Sequence, residues 1–373
     1  MREPLKKFFL SLPGVRRVAS QRDTLASECL RLEDQIATLQ QAREVLRDER
    51  DKLQQRLDGL HDARSTAEQR CVESAEALEE ASEQLEALRA EMRDLKRRQG
   101  FVPPGHFYSP IPDLDEISAR QSDIFGKPPE SLPGLELNAD DQLKLLQRFA
   151  EFYGDLPFTP EPSDGLRYHY ENPAYSYSDA IMLHCMIRYL KPRRIVEIGS
   201  GYSSCVMLDT SDRFFDGSID TTFIEPYPEL LQDLILPADL EQVRIIDRPV
   251  QEVALETFDA LGENDILFVD STHVSKVGSD VNRIFFDVLP RLRAGVHVHF
   301  HDIAYPFEYP KDWVFDGRAW NENYLLRTFL SFNRDFRVLL MNTYMHQLHP
   351  EFFERHMPLC LRNPGGSIWM RRE

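Results

Sequence analysis

The sequence lacks the features of several large classes of protein. No apolar run approaches the roughly 18–20 residues needed to span a bilayer, and nothing in the sequence predicts a transmembrane segment. Cysteine is scarce, with five in 373 residues and no close pairs. This pattern excludes a disulfide scaffold and favours a reduced, cytoplasmic protein. Basic residues are outnumbered, because 44 Lys and Arg face 62 Asp and Glu for a net charge of −18. An acidic chain is a poor ligand for nucleic acid, which we exclude as the main partner.

The first 20 residues differ from this acidic background. They are basic and have a short apolar middle, but they lack a full apolar region and a convincing cleavage site. We therefore do not predict a signal peptide. Two interpretations of residues 1–20 stay open: a disordered leader, or a peripheral contact with an anionic membrane surface.

Proline is absent from residue 14 to residue 102. In this stretch one heptad register runs unbroken from Leu25 to Leu95, with leucine at eight of its eleven d positions. Leucine at d packs well between two parallel helices. We therefore predict an α-helical coiled coil over residues 21–99 that joins two copies of the chain into a homodimer. A solitary, solvated helix is the alternative.

At Gly100 the composition changes. Residues 100–137 are rich in proline and aromatic side chains, which predicts an extended linker. From Asn138 helical patterning resumes, and from about residue 178 strand-like runs alternate with helical ones. The seven runs are RRIVEIG, TTFIE, VRIID, DILFVD, GVHVHFHD, FRVLLMN and SIWMRR. Strands spaced by helices predict an α/β domain over residues 138–373, with a mainly parallel sheet covered on both faces.

Ligands of open α/β sheets bind beyond the carboxyl ends of the strands. The first predicted strand ends in Glu197-Ile-Gly199-Ser-Gly201, and its glycines permit a tight turn and a close approach to a ligand. Ser204 stands where a dinucleotide fingerprint has its third glycine, which points away from a dehydrogenase. The second strand ends in Glu225, whose carboxylate can bind two ribose hydroxyls.

This combination resembles the class I S-adenosylmethionine-dependent methyltransferases over about residues 165–373. The resemblance implies a Rossmann-like seven-stranded sheet, mainly parallel, with an antiparallel last strand. It also implies that the glycine turn cradles the amino-acid part of S-adenosylmethionine, that Glu225 holds the ribose and that Gln251 contacts the adenine. The cofactor-binding residues implied in this way are Glu197, Gly199, Gly201, Ser203, Glu225, Gln251 and Asp270.

The residues at the ends of strands four and five resemble one subgroup of these methyltransferases. Asp270-Ser-Thr-His273 and His301-Asp302 are similar to the metal-dependent O-methyltransferases, from catechol O-methyltransferase to the macrolide-sugar enzymes. The resemblance implies a divalent metal on Asp270, His301 and Asp302, with His273 as the catalytic base beside Asp270. His301 departs from the pattern, which expects a carboxylate. An imidazole favours Mn²⁺ or another transition ion over Mg²⁺.

Strand five carries two further histidines, His297 and His299, on the same face as His301. We predict that His297 is structural, and His299 is a candidate to support the site residues. Two aromatic segments are candidates for the substrate side. Residues 168–177 can bind a sugar or form a packed cover, and residues 304–323 can form a lid.

The resemblance predicts an O-methyltransferase that acts on a hydroxyl of a sugar, glycan or glycosylated metabolite. The long helix suggests an assembly for polysaccharide synthesis, alongside glycosyltransferases. Two alternatives remain: an inactive methyltransferase-fold scaffold that organises such an assembly, and other, non-methyl chemistry on the same fold.

Overall fold

The computed structural model describes residues 13–373, except for the side chains of residues 97–99. Most of the predicted basic leader, residues 1–12, lies outside the described residues. The chain forms two compact units, divided after Gly100. Within residues 13–373, no helix combines the length and apolar character needed to cross a membrane.

The described residues of the first unit form one helix, α1 (Pro13–Gln99), of 87 residues. Proline suits the first turn of a helix because its missing N–H has no partner there. Gly100 ends the helix in the left-handed region, with φ of 69°. The d-position leucines are all exposed, by 48% to 69%. The helix is confirmed, whereas its pairing with a second copy stays a prediction.

The predicted linker contains two short helices, α2 (Leu114–Ala119) and α3 (Gln121–Ile124). Its first half exposes Phe107 and Tyr108 to solvent. Its second half packs on the domain, where Leu132 and Leu137 enter the core.

The sheet of the second unit has seven strands, as predicted. In chain order they are β1 (Arg194–Ile198), β2 (Asp220–Ile224), β3 (Arg244–Ile246), β4 (Ile266–Val269), β5 (His297–His301), β6 (Phe336–Met341) and β7 (Ser367–Arg372). Their order across the sheet is β3-β2-β1-β4-β5-β7-β6. Among these seven strands, β7 alone points in the opposite direction, and it pairs antiparallel with both β5 and β6. The Rossmann-like fold with an antiparallel last strand is therefore confirmed.

Helices connect and cover the strands. They are α4 (Ala139–Tyr153), α5 (Tyr177–Leu190), α6 (Tyr202–Phe215), α7 (Glu229–Leu234), α8 (Glu256–Asp259), α9 (Asp280–Arg283), α10 (Lys311–Phe315), α11 (Glu322–Leu330), α12 (Asn342–Leu348) and α13 (Pro350–His356). A π-helical turn, Ile284–Val288, extends α9, and four short 3₁₀ turns occur at Asp239–Glu241, Val250–Glu252, Leu289–Arg291 and Pro358–Leu361. The strands β1 and β4 are adjacent and parallel, but the chain continues from β1 to β2 on one side of the sheet and from β4 to β5 on the other. Their carboxyl ends therefore form the crevice where such sheets bind ligands.

Two histidines of β5 are core side chains. His299 stacks on Phe268 at 4.0 Å between ring centres and lies 4.6 Å from the ring of Trp369. Burial keeps the pKa of His299 well below its ordinary value and lowers the pKa of His297 to about 4. Both rings are therefore neutral at neutral pH.

The tyrosine-rich segment before β1 is also part of the core. Tyr168, Tyr170, Tyr175 and Tyr177 are all buried, with exposures of 1% to 4%. This segment forms a packed cover, which was one of its two predicted roles.

Candidate active site

The glycine turn after β1 lies against the end of β4. Gly199 has φ of 81°, and a Cβ atom there would lie 1.8 Å from the carbonyl oxygen of Asp270. Glycine is therefore required at this position, both for its backbone conformation and for the close approach. Gly201 has an extended backbone, and a Cβ there would only touch Leu230 at 3.6 Å.

Glu197 lies beneath this turn. Its carboxylate is fully buried and accepts hydrogen bonds from the hydroxyls of Ser203, at 2.6 Å, and Ser204. Burial raises the pKa of Glu197 to about 8. The structure thus places Glu197 and Ser203 where they hold the start of α6, while other residues line the crevice.

The crevice itself is a cleft of about 350 Å³. Of the residues implied to bind the cofactor, it is lined by Gly199, Glu225, Gln251 and Asp270. Glu225 accepts hydrogen bonds from the backbone N–H groups of Ser200 and Tyr227, at 3.2 and 2.9 Å. These bonds fix the carboxylate at the end of β2, beside the glycine turn.

Gln251 lies on the opposite wall of the cleft. Its side-chain amide donates to the carbonyl of Gly278 at 2.9 Å. Gly278 belongs to the loop that follows Asp270, so Gln251 ties this loop to the end of β3. The structure brings the predicted ribose and adenine residues together around one cavity.

His273 lies beside this cleft among three carboxylates. Its Nδ1 lies 2.9 Å from Glu322, and its Nε2 lies 3.5 Å from both Asp270 and Asp302. Burial lowers the pKa of His273, but the hydrogen bonds to Asp270 and Glu322 outweigh it and raise the pKa to about 10. The ordinary pKa of about 6.5, on which a base assignment from sequence rests, therefore does not apply to His273 in the folded chain. There His273 is an imidazolium at neutral pH.

Two residues of the site adopt the left-handed backbone region. His273 has φ of 59° and Asp302 has φ of 57°. This conformation is uncommon for residues other than glycine and tends to occur at functional sites. It directs both side chains toward each other at the ends of β4 and β5.

His301 extends the charged cluster toward α5. Its Nε2 lies 3.4 Å from Asp302. Burial lowers the pKa of His301, but the charges of Asp270, Asp302 and Asp179 outweigh it and raise the pKa. Asp179 is buried, and burial raises its pKa to about 6. Asp179 could not be selected from sequence, because it lies on a helix more than 100 residues before His301 in the chain.

Glu322 was also absent from the predicted site. It is 1% exposed, begins α11 and accepts a hydrogen bond from the hydroxyl of Ser271 at 3.3 Å. Burial raises its pKa, although the bond with His273 opposes this. The only available signal was its position in the segment that the sequence analysis treated as a lid.

The metal implied by the resemblance can be tested against this arrangement. Within the described residues, no three or more His, Cys, Asp or Glu side chains are grouped so as to hold a metal ion. The Nε2 of His273 occupies the gap between Asp270 and Asp302 instead. His301 turns its Nε2 toward Asp302, 3.4 Å away. The residues do not fit a metal in this arrangement. A metal on Asp270, His301 and Asp302 is thus only what the resemblance implies, and no step of the reaction depends on it.

A comparison with family models matches residues 196–303 to a methyltransferase domain. This range begins in β1 and ends just after Asp302. It contains the glycine turn, Glu225 and His273.

A curated protein from Archaeoglobus fulgidus, described as uncharacterized, is 38% identical over 171 residues. The match covers 44% of this chain and 76% of the archaeal protein. At this identity and coverage the two proteins are members of one family.

Solved structures with a similar fold include the methyltransferase PaMTH1 from Podospora anserina, bound to S-adenosylhomocysteine. It is 18% identical, has a TM-score of 0.36, and the match covers 70% of this chain and 98% of PaMTH1. The O-methyltransferase TomG from Streptomyces achromogenes, in complex with S-adenosylmethionine, is 17% identical with a TM-score of 0.36. Its match covers 69% of this chain and 96% of TomG. These similarities are too low to assign a function.

The methyltransferase-domain match coincides with the sheet order and with the cleft at the ends of β1 and β4. The chain therefore contains a methyltransferase domain over residues 196–303 and belongs to one family with the archaeal protein.

Proposed function

We propose that this enzyme transfers the methyl group of S-adenosylmethionine to a hydroxyl of a sugar, glycan or glycosylated metabolite. The observation that carries the proposal is the position of His273. Its Nδ1 is held by buried Glu322, and its Nε2 lies 3.5 Å from Asp270, which lines the cofactor cleft. A histidine fixed in this way beside a methyl donor can take a proton from an attacking hydroxyl.

In the proposed complex, the turn at Gly199 contacts the amino-acid part of the cofactor. Glu225 accepts hydrogen bonds from the ribose hydroxyls, and Gln251 lies against the adenine. Asp270 faces the positively charged sulfur. These roles follow the family resemblance and agree with the residues that line the cleft.

In the proposed reaction, the acceptor hydroxyl loses its proton to Nε2 of His273. Its oxygen forms a bond with the methyl carbon as the carbon–sulfur bond breaks. The electron pair of that bond stays on sulfur, which leaves as the neutral thioether of S-adenosylhomocysteine. Alignment of oxygen, carbon and sulfur supplies much of the rate enhancement.

His273 must be neutral to accept this proton. The surrounding carboxylates keep it charged, with a pKa of about 10. We infer that the positive sulfonium of the cofactor compensates Asp270 and lowers the pKa of His273. Binding of the methyl donor would then release the proton that makes His273 a base.

We also propose that α1 pairs with α1 of a second copy. The exposed d-position leucines support a two-stranded coiled coil. The rod would space the enzyme within an assembly, for example with glycosyltransferases. Cytoplasmic location, with a peripheral membrane contact of residues 1–20, is part of the same proposal.

The second candidate function is an inactive scaffold that organises glycan synthesis through α1. The charged state of His273 and the imidazole at position 301 favour it. Calorimetric titration followed by a screen of sugar acceptors separates the two. An enzyme adds one methyl group to an acceptor, whereas a scaffold adds none even when S-adenosylmethionine is bound.

A further inference from the structure

The segment after β5 carries an aromatic cluster beside the active site. Two of the three tryptophans of the chain, Trp313 and Trp320, lie in this segment. Their rings meet edge to face, with centres 5.5 Å apart, and both are half-buried. The ring of Trp320 lies 4.5 Å from the ring of His273.

Hydrogen bonds fix this cluster to the loop that carries His273. The backbone N–H groups of Asn321 and Glu322 both donate to the carbonyl of His273 at 3.1 Å. The side chain of Asn321 accepts from the N–H of Ser275 at 2.6 Å and donates to its carbonyl at 3.2 Å. Trp320 therefore keeps a set position relative to the proposed base.

Arg318 lies across both tryptophans. Its guanidinium carbon is 4.6 Å from the ring centre of Trp313 and 5.2 Å from that of Trp320. Its ion pair with Asp316 is long, at 3.7 Å, and Asp316 is 72% exposed. Such a pair contributes little. Stacking orients the planar guanidinium, and its N–H donors at the 38% exposed side chain can bind an anion in a bidentate manner.

We propose that Trp313, Arg318 and Trp320 form an acceptor subsite for a sugar ring that carries an anionic group. The inference rests on the proposed function, because a ring on Trp320 would present a hydroxyl to His273. Aromatic faces suit the C–H face of a sugar ring, and Arg318 pairs with a carboxylate or phosphate on it. A fixed cation is needed here because Asp270, Asp302 and Glu322 would otherwise repel an anionic acceptor.

The test uses the full chain saturated with S-adenosylhomocysteine, so that no turnover occurs. Three probes are titrated by saturation-transfer NMR: methyl β-D-glucuronide, α-D-glucose 1-phosphate and the neutral methyl β-D-glucoside. At least one anionic probe is expected to bind about tenfold more tightly than the neutral one, as for a charge-assisted pair. The tighter of the two anionic probes identifies the carboxylate or the phosphate as the recognised group.

Matched variants assign the effect to Arg318. Arg318→Gln should remove the preference for the anionic probe, whereas Lys311→Gln, an exposed cation of the same segment, should preserve it. Trp313→Leu should weaken all three probes together. Affinity for S-adenosylhomocysteine, measured on each variant, controls for folding.

Equal affinity for all probes, no binding of any probe, or an unchanged preference in Arg318→Gln would overturn the subsite. Failure of the proposed function has a different outcome. Anionic probes that bind through Arg318 but are never methylated would support the subsite and remove the methyl-transfer proposal. Methylation of neutral sugars without an anionic preference would support the methyl-transfer proposal and remove the subsite.

Discussion

The two units of this chain depart from the usual distribution of side chains in opposite ways. The helix α1 exposes its leucines, by 48% or more at the d positions. The active site of the second unit buries titratable groups, among them His273, His301 and Glu322, and His273 is charged with a pKa of about 10. Exposed apolar stripes and buried charges are the two informative exceptions to ordinary burial. In the proposed function each of these surfaces has a partner: a second helix for α1, and a cofactor with its acceptor for the site.

The comparison predicts that the two regions can be disrupted separately. The largest effect is expected from His273→Ala, which removes the proposed proton acceptor. Turnover should fall by about 10²–10⁴-fold, the usual contribution of general base catalysis. Affinity for S-adenosylmethionine should not fall, because the base acts on the acceptor and loss of the imidazolium removes a positive charge near the sulfonium. Near-normal turnover in a folded variant would refute the mechanism.

Glu225→Ala tests the cofactor cleft. Loss of hydrogen bonds to the ribose should weaken S-adenosylmethionine binding by about 1.5–3 kcal/mol. Calorimetric titration measures this directly, and light scattering should show an unchanged oligomeric state. Unaltered affinity in the folded variant would remove the ribose assignment.

A second set of substitutions should disrupt the pairing of α1 and leave the cofactor cleft intact. Leu39→Asp with Leu46→Asp places two charges at successive d positions, where burial between helices would be costly. The dimer should weaken by about tenfold or more, with no loss of cofactor affinity. The control is Leu30→Asp with Val45→Asp, which changes exposed apolar residues at b and c positions.

Light scattering at micromolar concentration reads out the mass of each variant. A wild-type chain that is monomeric would contradict the coiled coil. An equal effect of both double variants would show that exposed apolar residues in general, and not the heptad seam, govern association.

The sequence predicts the strands and the residues at their ends better than it predicts the side chains that surround them in the site. The strands were predictable because parallel strands buried on both faces appear as continuous apolar runs, as in β4. Gly199, Glu225 and Asp270 were found because each follows a strand end directly. Glu322 and Asp179 were missed because long-range folding brings them to the site, and no local spacing encodes that.

The pKa values of the site residues could not be predicted from the sequence either. His273 was assigned an ordinary pKa because its neighbours Asp302 and Glu322 are 29 and 49 residues away in the chain. Glu197 was assigned to the cofactor because of its place in the motif, yet its carboxylate binds Ser203 beneath the turn.

The pH dependence of stability and of kcat/KM tests the charge of His273. The pKa of His273 is raised to about 10 in the folded chain, from about 6.5 when unfolded. Its contribution to stability is therefore complete below pH 6.5 and lost as pH rises through 10. Because the base must be neutral, kcat/KM for S-adenosylmethionine, which reports the enzyme before the cofactor binds, should rise up to about tenfold per pH unit above neutrality.

Glu322→Gln removes one of the groups that hold the proton, so it should shift this rise to lower pH. The same variant should leave the cofactor affinity intact. A profile that is flat from about pH 7 to pH 9 would contradict the charged state of His273.

The smallest effect is expected from His297→Gln. His297 is buried at the start of β5, and burial lowers its pKa to about 4, so it is neutral and remote from the site edge. Turnover should stay within about twofold of wild type, with at most a modest loss of stability. A large loss of turnover without unfolding would mean that the face of β5 is coupled to catalysis.

The central claim is that buried His273 accepts the proton of a sugar hydroxyl during methyl transfer. The most direct measurement follows a labelled methyl group from S-adenosylmethionine to a panel of neutral and anionic sugars. The account predicts that wild type and His297→Gln form a sugar methyl ether, and that His273→Ala binds the cofactor at least as well but forms the ether about 10²–10⁴-fold more slowly. Cofactor binding without transfer to any sugar, or equal transfer by His273→Ala, would contradict it.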